Sequence, residues 1–212
     1  MRKQLFSRRS LKLLAAATMV VDHVGVVFFP QTLWIRWIGR LAFPLYAFFL
    51  AEGMKYTKSR ENYFSRLILL GLISEIFFDA LFGYRWERQN VLWTLALGGL
   101  SIVAVEKSYT QPLWIFAAFL PALLAQICGT DYGAFGVCLC VWYYQVGDRR
   151  LLCAVGQVLL CLSMGYRMEV LGVVSTLLLC FYDSKKPGKN SKLFYLVYPL
   201  HMGILWIISV LF

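Results

Sequence analysis

Asp22 and His23 stand side by side in an otherwise apolar run, Leu11 to Phe29, and Arg2, Lys3, Arg8 and Arg9 come just before it. A carboxylate beside an imidazole is the usual equipment for general-base chemistry. Ionisable groups are costly in lipid, so inside a membrane helix they face protein or a wet cavity and count as functional candidates. Neighbouring residues leave a helix about 100° apart, so Asp22 need not touch His23. Asp22, or a carboxylate from another helix, can hold the second ring nitrogen and raise its basicity. The competing reading is a histidine satisfied by a backbone carbonyl near a helix end.

Further polar residues fall in the same half of the chain. Arg36 and Arg40 are four apart, as are Glu75 and Asp79, so each like-charged pair occupies one helix face. Facing each other, the two pairs would neutralise, either as a purely architectural ion network or as one that also positions a substrate or tunes His23. At a rise of about 1.5 Å per residue, His23 lies roughly 16 Å beyond Lys12, and Glu75 and Asp79 roughly 13 and 20 Å beyond Arg66. These groups share a layer from the middle to the outer half of the membrane, with Arg36 alternatively at the outer interface. Glu52, three residues from Lys55, is either buried with them or interfacial. His201 follows Tyr198-Pro199; it can complete the site, or Pro199 can simply kink the helix and free a carbonyl for some donor.

The elements that must position these residues are membrane helices. The chain of 212 residues is 60% hydrophobic and 15% charged, where a soluble domain carries about a quarter charged residues; its mean hydropathy is +0.65. Apolar segments able to cross a core of about 30 Å use nearly the whole sequence. The expected fold is all-α, a polytopic membrane bundle of about nine helices in one domain, 1–212. Spans are expected near 11–29, 33–54, 67–83, 91–105, 113–128, 132–146, 150–164, 168–182 and 192–212. Residues 1–10 form a basic N-terminus, 11–105 the half with the polar layer, and 106–212 mainly scaffold closed by the last helix. Asp131, Glu169, Arg167, Glu87 and Arg88 fall in outer loops and read as solvated. The segment 183–191 reads as a flexible cytoplasmic loop.

The formal charge of +10 is explained by topology. With nine crossings, Arg2, Lys3, Arg8, Arg9, Lys12, Lys55, Lys58, Arg60, Arg66, Lys107, Arg149, Arg150, Lys185, Lys186, Lys189 and Lys192 fall on the starting side. Only Arg36, Arg40, Arg85, Arg88 and Arg167 fall opposite. The positive-inside rule then puts the N-terminus in the cytoplasm, and a nucleic-acid partner is not expected. The first apolar run is longer than a signal-peptide core, so it reads as a retained helix. The cluster Lys55, Lys58, Arg60 and Arg66 holds topology and attracts anionic lipid, or also binds the phosphates of a cytosolic donor. The six cysteines lie in or at the ends of apolar runs without C-x-x-C spacing; they read as small core residues, and no metal site is expected.

Asp22-His23-x-Gly25, Gly39-Arg40-Leu41-Ala42-Phe43-Pro44 with Glu52-Gly53, Tyr63-x-x-Arg66-Leu67, Ser74-Glu75, Phe78-Asp79, Gln89-Asn90-Val91 with Thr94-Leu95, and Tyr198-Pro199-x-His201 follow one another in an order that closely resembles the TraX family. The resemblance spans nearly the full chain and is most specific over 11–100. It implies acetylation of pilin N-termini in conjugative members, hence an acetyl-CoA-dependent acetyltransferase of the bacterial cytoplasmic membrane. Several segments are also similar to multi-pass acyltransferases that modify cell-surface sugars. By that likeness His23 is the base, oriented by Asp22 or Glu75, and Arg40 or Asn90 stabilises the thioester oxyanion. The donor comes from the cytoplasm, and the acceptor, a protein N-terminus or a glycan, from outside. Two other classes compete: a small proton-coupled transporter, for which paired repeats would be expected and none is visible, and a non-catalytic assembly factor for a surface organelle. In the latter, losing His23 would cost stability but no chemistry.

Overall fold

The computed structural model describes residues 5–84, 87–182 and 193–211. Arg2, Lys3, Arg85, Lys185, Lys186, Lys189, Lys192 and the expected loop 183–191 lie outside the described residues. Among those described, the fold is all-α, with only two isolated bridges, Phe6 with Tyr182 and Gln89 with Thr130, and no strand.

The helices are α1 (Arg8–Phe28), α2 (Leu33–Gly39), α3 (Ala42–Tyr56), α4 (Arg60–Phe82), α5 (Val91–Ser108), α6 (Trp114–Ile127), α7 (Gly133–Val146), α8 (Arg150–Ser163), α9 (Val173–Leu178) and α10 (Leu193–Leu211), with 3-10 turns at Arg167–Gly172 and Leu179–Phe181. Their ends follow from local chemistry. Ser7 caps α1 reciprocally with Ser10: Ser10 N–H donates to Ser7 Oγ at 3.1 Å, and Ser7 N–H to Ser10 Oγ at 2.9 Å. Ser59 caps α4, which Gly83 ends at φ +71°, a left-handed turn that favours glycine. Along α1 the buried positions Leu11, Ala15, Thr18 and Gly25 recur at helical spacing, and that stripe, continued, passes through Asp22.

Two expected spans are broken. The run 33–54 divides at Arg40-Leu41 into α2 and α3. Pro44 has no N–H to offer the Arg40 carbonyl and its ring would clash there, so it sits in the first turn of a new helix, where a proline is tolerated. Gly172 fits against the same carbonyl: a Cβ there would stand 2.6 Å from Arg40 O. The run 168–182 forms a 3-10 turn, the six-residue α9 and a second 3-10 turn. Hydroxyl-to-carbonyl bonding inside it, Ser175 Oγ to Gly172 O at 2.8 Å, competes with a regular helix.

Among the described residues, three helical stretches are long and apolar enough to cross a membrane: Arg8–Phe28, Leu33–Tyr56 and Val91–Ser108. The helices α6, α7 and α8 have 14 residues each, about 21 Å of helix against a core of about 30 Å. One face of α6 exposes Phe116, Phe119, Leu123 and Ile127.

The chain forms two compact units, the first from Met1–Tyr46 with Val146–Phe212 and the second from Ala47–Gln145. In the first, α1 packs on α2 and α10, and α8 on α9 and the 3-10 turns. Gly25 and Gly39 permit the α1–α2 approach: a Cβ on Gly25 would lie 2.5 Å from Ile35 Cγ2, and one on Gly39 2.3 Å from Asp22 Cβ. In the second, α5 packs on α4 and α6, around a core that includes Phe48, Leu50, Ile102, Phe135, Leu139 and Tyr143. Cys140, Cys153 and Cys161 are buried, and Cys128 is exposed.

Candidate functional site

In the first unit, the two histidines of the chain meet. His201 Nε2 lies 2.8 Å from His23 Nδ1, and the rings are tilted by 35° with centroids 4.9 Å apart. His201 Nδ1 is 2.8 Å from the Val197 carbonyl, one turn back in α10. The Tyr198 ring stands edge-on to both imidazoles, at 6.3 Å from His23 and 5.4 Å from His201. His201 and Tyr198 are buried and His23 partly so. The carbonyl left over by Pro199 would be that of Tyr195, whereas His201 uses Val197. The carbonyl that Pro199 leaves is therefore not the one His201 uses.

Two ion pairs flank the imidazoles. Arg36 Nε donates to Asp22 Oδ1 at 3.0 Å, with Arg36 about a third exposed. Arg40 Nη1 donates to Glu169 Oε1 at 2.8 Å in a nearly buried pair. Both guanidinium groups act electrostatically on Asp22 and on His23, so the imidazoles sit beside a charge-balanced set of two cations and two anions. Behind Glu169, the buried Gln157 of α8 takes the Thr176 hydroxyl on its Oε1, and its Nε2 reaches toward the Glu169 carbonyl at 3.4 Å.

The second unit holds the remaining candidates. Asn90 caps α5 by accepting Leu92 N–H at 2.9 Å; its Nδ2 donates to Gly71 O at 2.9 Å and Glu75 Oε2 at 2.6 Å. Glu75 also accepts the Asn90 N–H and, at 2.6 Å, Trp93 Nε1. A carboxylate at a helix N-terminus, held by three donors, is an anchor between α4 and α5. Asp79 Oδ1 is buried with no hydrogen-bond partner among the described residues. Glu52 is 6% exposed and lies on the buried face of α3 with Phe48 and Ala51. Away from these, Arg60 pairs with Glu106, which also receives the Tyr144 hydroxyl, and Lys55 stands over the Tyr144 ring at 5.1 Å.

Several expectations are corrected. For the arginines the structure gives other partners than Glu75 and Asp79: Arg36 pairs with Asp22 and Arg40 with Glu169, and Glu75 serves Asn90 and Trp93. The ring nitrogen assigned to Asp22 or Glu75 meets His201. Asn90 cannot serve an oxyanion as expected, because both hydrogens of its amide are already donated. Glu169, expected in a solvated loop, is 7% exposed, since an unpaired Arg40 in that setting would be costly. The segment read as scaffold thus supplies Glu169, Gln157 and Thr176. The signals were available: Glu169 is the sole carboxylate between Asp148 and Asp183, and Gln157 the lone amide of an apolar run.

Comparison with known proteins adds the following. A family described as "TraX protein" matches residues 7–209. A probable fimbrial assembly protein FimC, serogroup H1, of Dichelobacter nodosus is 29% identical over 237 residues, covering 94% of each chain. A protein TraX of Escherichia coli is 29% identical over 221 residues, covering 95% of this chain and 87% of that one. No solved structure matches.

Proposed function

We propose that this chain, which belongs to the TraX family, is a multi-pass protein of the bacterial cytoplasmic membrane that moves an acetyl group from cytosolic acetyl-CoA to an extracytoplasmic amine or hydroxyl. The observation that carries the reading is the contact of His23 with His201 at 2.8 Å: an imidazole backed by a second imidazole on an apolar helix pair is equipment for proton transfer. In this reading His23 takes the proton of the acceptor as it attacks the thioester carbon. Arg40, held by Glu169 and bearing electrostatically on His23, supplies positive charge where the oxyanion develops. Asp22 acts through Arg36. The names of the relatives, fimbrial assembly protein and TraX, favour a pilus-related protein N-terminus as acceptor. The shorter apolar helices, α6 to α8 among them, complete the crossings in this topology, with the N-terminus in the cytoplasm.

The test is acetyl transfer by the full chain in nanodiscs, with acetyl-labelled acetyl-CoA and peptides bearing a free N-terminal amine. Wild type should release CoA and label the peptide, and a folded His23→Ala variant should lose both by about 100-fold or more. Wild type that never consumes acetyl-CoA sinks the proposal. A second reading, a non-catalytic assembly factor, is favoured by the name of the Dichelobacter relative; it requires that folded His23→Ala protein still support pilus assembly in cells.

A further inference from the structure

We infer that His201 is a positioning residue that holds His23 in a single tautomer, with the proton on Nδ1 and the basic lone pair on Nε2, and that it shares the proton His23 takes up. The inference deepens the reading of His23 as general base and rests on it for its role in catalysis. It starts from the Val197 carbonyl, which can only accept. His201 Nδ1, 2.8 Å away, therefore carries a hydrogen. In a neutral ring the other nitrogen then has a lone pair, so His201 Nε2 accepts. Its partner at 2.8 Å, His23 Nδ1, must donate. The second nitrogen of a neutral His23 is then the basic one, and that is Nε2. An isolated histidine in water prefers the opposite, Nε2–H form, so the fold has to impose this arrangement.

Three features hold the chain of bonds in line. The Tyr198 ring stands edge-on against both imidazoles. The His201 ring is fixed to its own helix by the Val197 bond. The Met19 carbonyl, four residues before His23 as Val197 is before His201, is a further acceptor for the His23 ring. The charged groups acting on the imidazoles are Arg36 and Arg40, with Asp22 and Glu169 as their counter-charges; no carboxylate is needed to orient His23.

As the acceptor attacks the acetyl carbon, its N–H or O–H bond breaks and the proton passes to His23 Nε2. The Nδ1 proton of the cationic ring shifts toward His201 Nε2, spreading the charge over both rings. When the carbon–sulfur bond breaks, the electron pair leaves with the thiolate. The shared proton returns to His23 Nδ1, and the one on Nε2 goes to the thiolate. The sum is acceptor plus acetyl-CoA giving acetylated acceptor plus CoA, with no oxidant or other co-reactant.

The chain contains only two histidines, so full-length protein labelled with 15N in its histidine rings and placed in nanodiscs gives NMR signals from this pair alone. Wild type is expected to show both rings with a protonated Nδ1 and an unprotonated Nε2, and a coupling across the bond between them. His201→Phe should move His23 toward the Nε2–H form. His201→Gln, whose carbonyl can accept near the lost Nε2, should keep it on Nδ1. A wild-type His23 protonated on Nε2 overturns the inference, and so does an unchanged tautomer in His201→Phe, which would leave the Met19 carbonyl as the sole determinant. If His201→Phe does not fold, the coupling across the His23–His201 bond in wild type decides, and its absence overturns the inference. In acetyl transfer, His201→Phe is expected to lower kcat about 10- to 100-fold with little change in KM, and His201→Gln to recover most of it. Equal losses in the two folded variants would overturn the positioning role. Wild type inert toward acetyl-CoA would refute the acetyl-transfer reading while the ring signals stand by themselves.

Discussion

Replacing Gly39 by alanine tests the packing that brings Asp22 to Arg36. Gly39 is the last residue of α2 and its φ is not positive. On helix propensity alone the change should stabilise by about 0.5–1 kcal/mol. The new Cβ, however, would stand 2.2 Å from Asp22 Oδ1 and 2.3 Å from its Cβ and Cγ. Carbon pairs are comfortable at about 3.5–4.0 Å, so a displacement of more than about 1 Å is needed. Asp22 Cβ is bonded to the α1 backbone, so rotating the carboxylate away does not relieve the clash. Either α1 and α2 separate or Asp22 gives up Arg36. Overpacking of this kind costs about 1–3 kcal/mol, and weakening a partly buried ion pair adds to it. The expected net loss is about 2–3 kcal/mol, roughly 30- to 150-fold in the folded-to-unfolded ratio. Equilibrium unfolding in mixed detergent and SDS measures it. Gly71→Ala is the matched control, because the nearest atom to a Cβ there, on Trp93, is at 3.4 Å; it should be neutral or stabilising. A Gly39→Ala protein as stable as Gly71→Ala would refute the argument that this glycine is retained for contact.

Glu169→Ala should cost about 3–5 kcal/mol in the same assay, because Arg40 would remain in a nearly buried setting without its carboxylate. The double variant Arg40→Met/Glu169→Leu should regain most of that stability while losing acetyl transfer; a double variant no better than the single would argue against an isolated pair. Asn90→Asp should destabilise by about 1–3 kcal/mol although aspartate is an equally good cap, since two donors vanish and a carboxylate meets Glu75; its folded fraction should keep its acetyl-transfer rate, and a selective loss of kcat would restore Asn90 to the chemistry. Glu106→Gln should change stability by less than about 1 kcal/mol, because the Arg60 pair is partly exposed; a drop above 2 kcal/mol in a salt titration series would show a pair far less screened than its exposure implies.

The helical class and the first helix were legible from hydropathy, because an apolar run with a basic flank has few other solutions. The break at Arg40 was written in Gly39 and Pro44, but a window average over 33–54 hides it. The 3-10 stretch 167–181 was not legible, since short-range hydroxyl bonds leave no periodic trace. For the site, residue type singled out His23, His201, Asp22, Arg36 and Arg40 individually, as ionisable groups in apolar runs. Their pairing was a different matter. Spacing of four predicted which charges share a face, yet the partners came from other elements: Asp22 on the preceding helix for Arg36, and Glu169, 129 residues on, for Arg40. Glu169 reads as a loop residue because it stands at the very start of the expected span 168–182, where a carboxylate is usually solvated.

The two imidazoles are 178 residues apart, one on α1 and the other on α10. At a synthesis rate of about 5–20 residues per second, roughly 9–36 s pass between the making of the first histidine and the second. During that interval Asp22 and Arg36 can already pair, but His23 has no second imidazole to meet. The contact therefore forms only once α10 is made and docked, and in the proposed function a ribosome stalled short of it leaves a general base without its positioning partner.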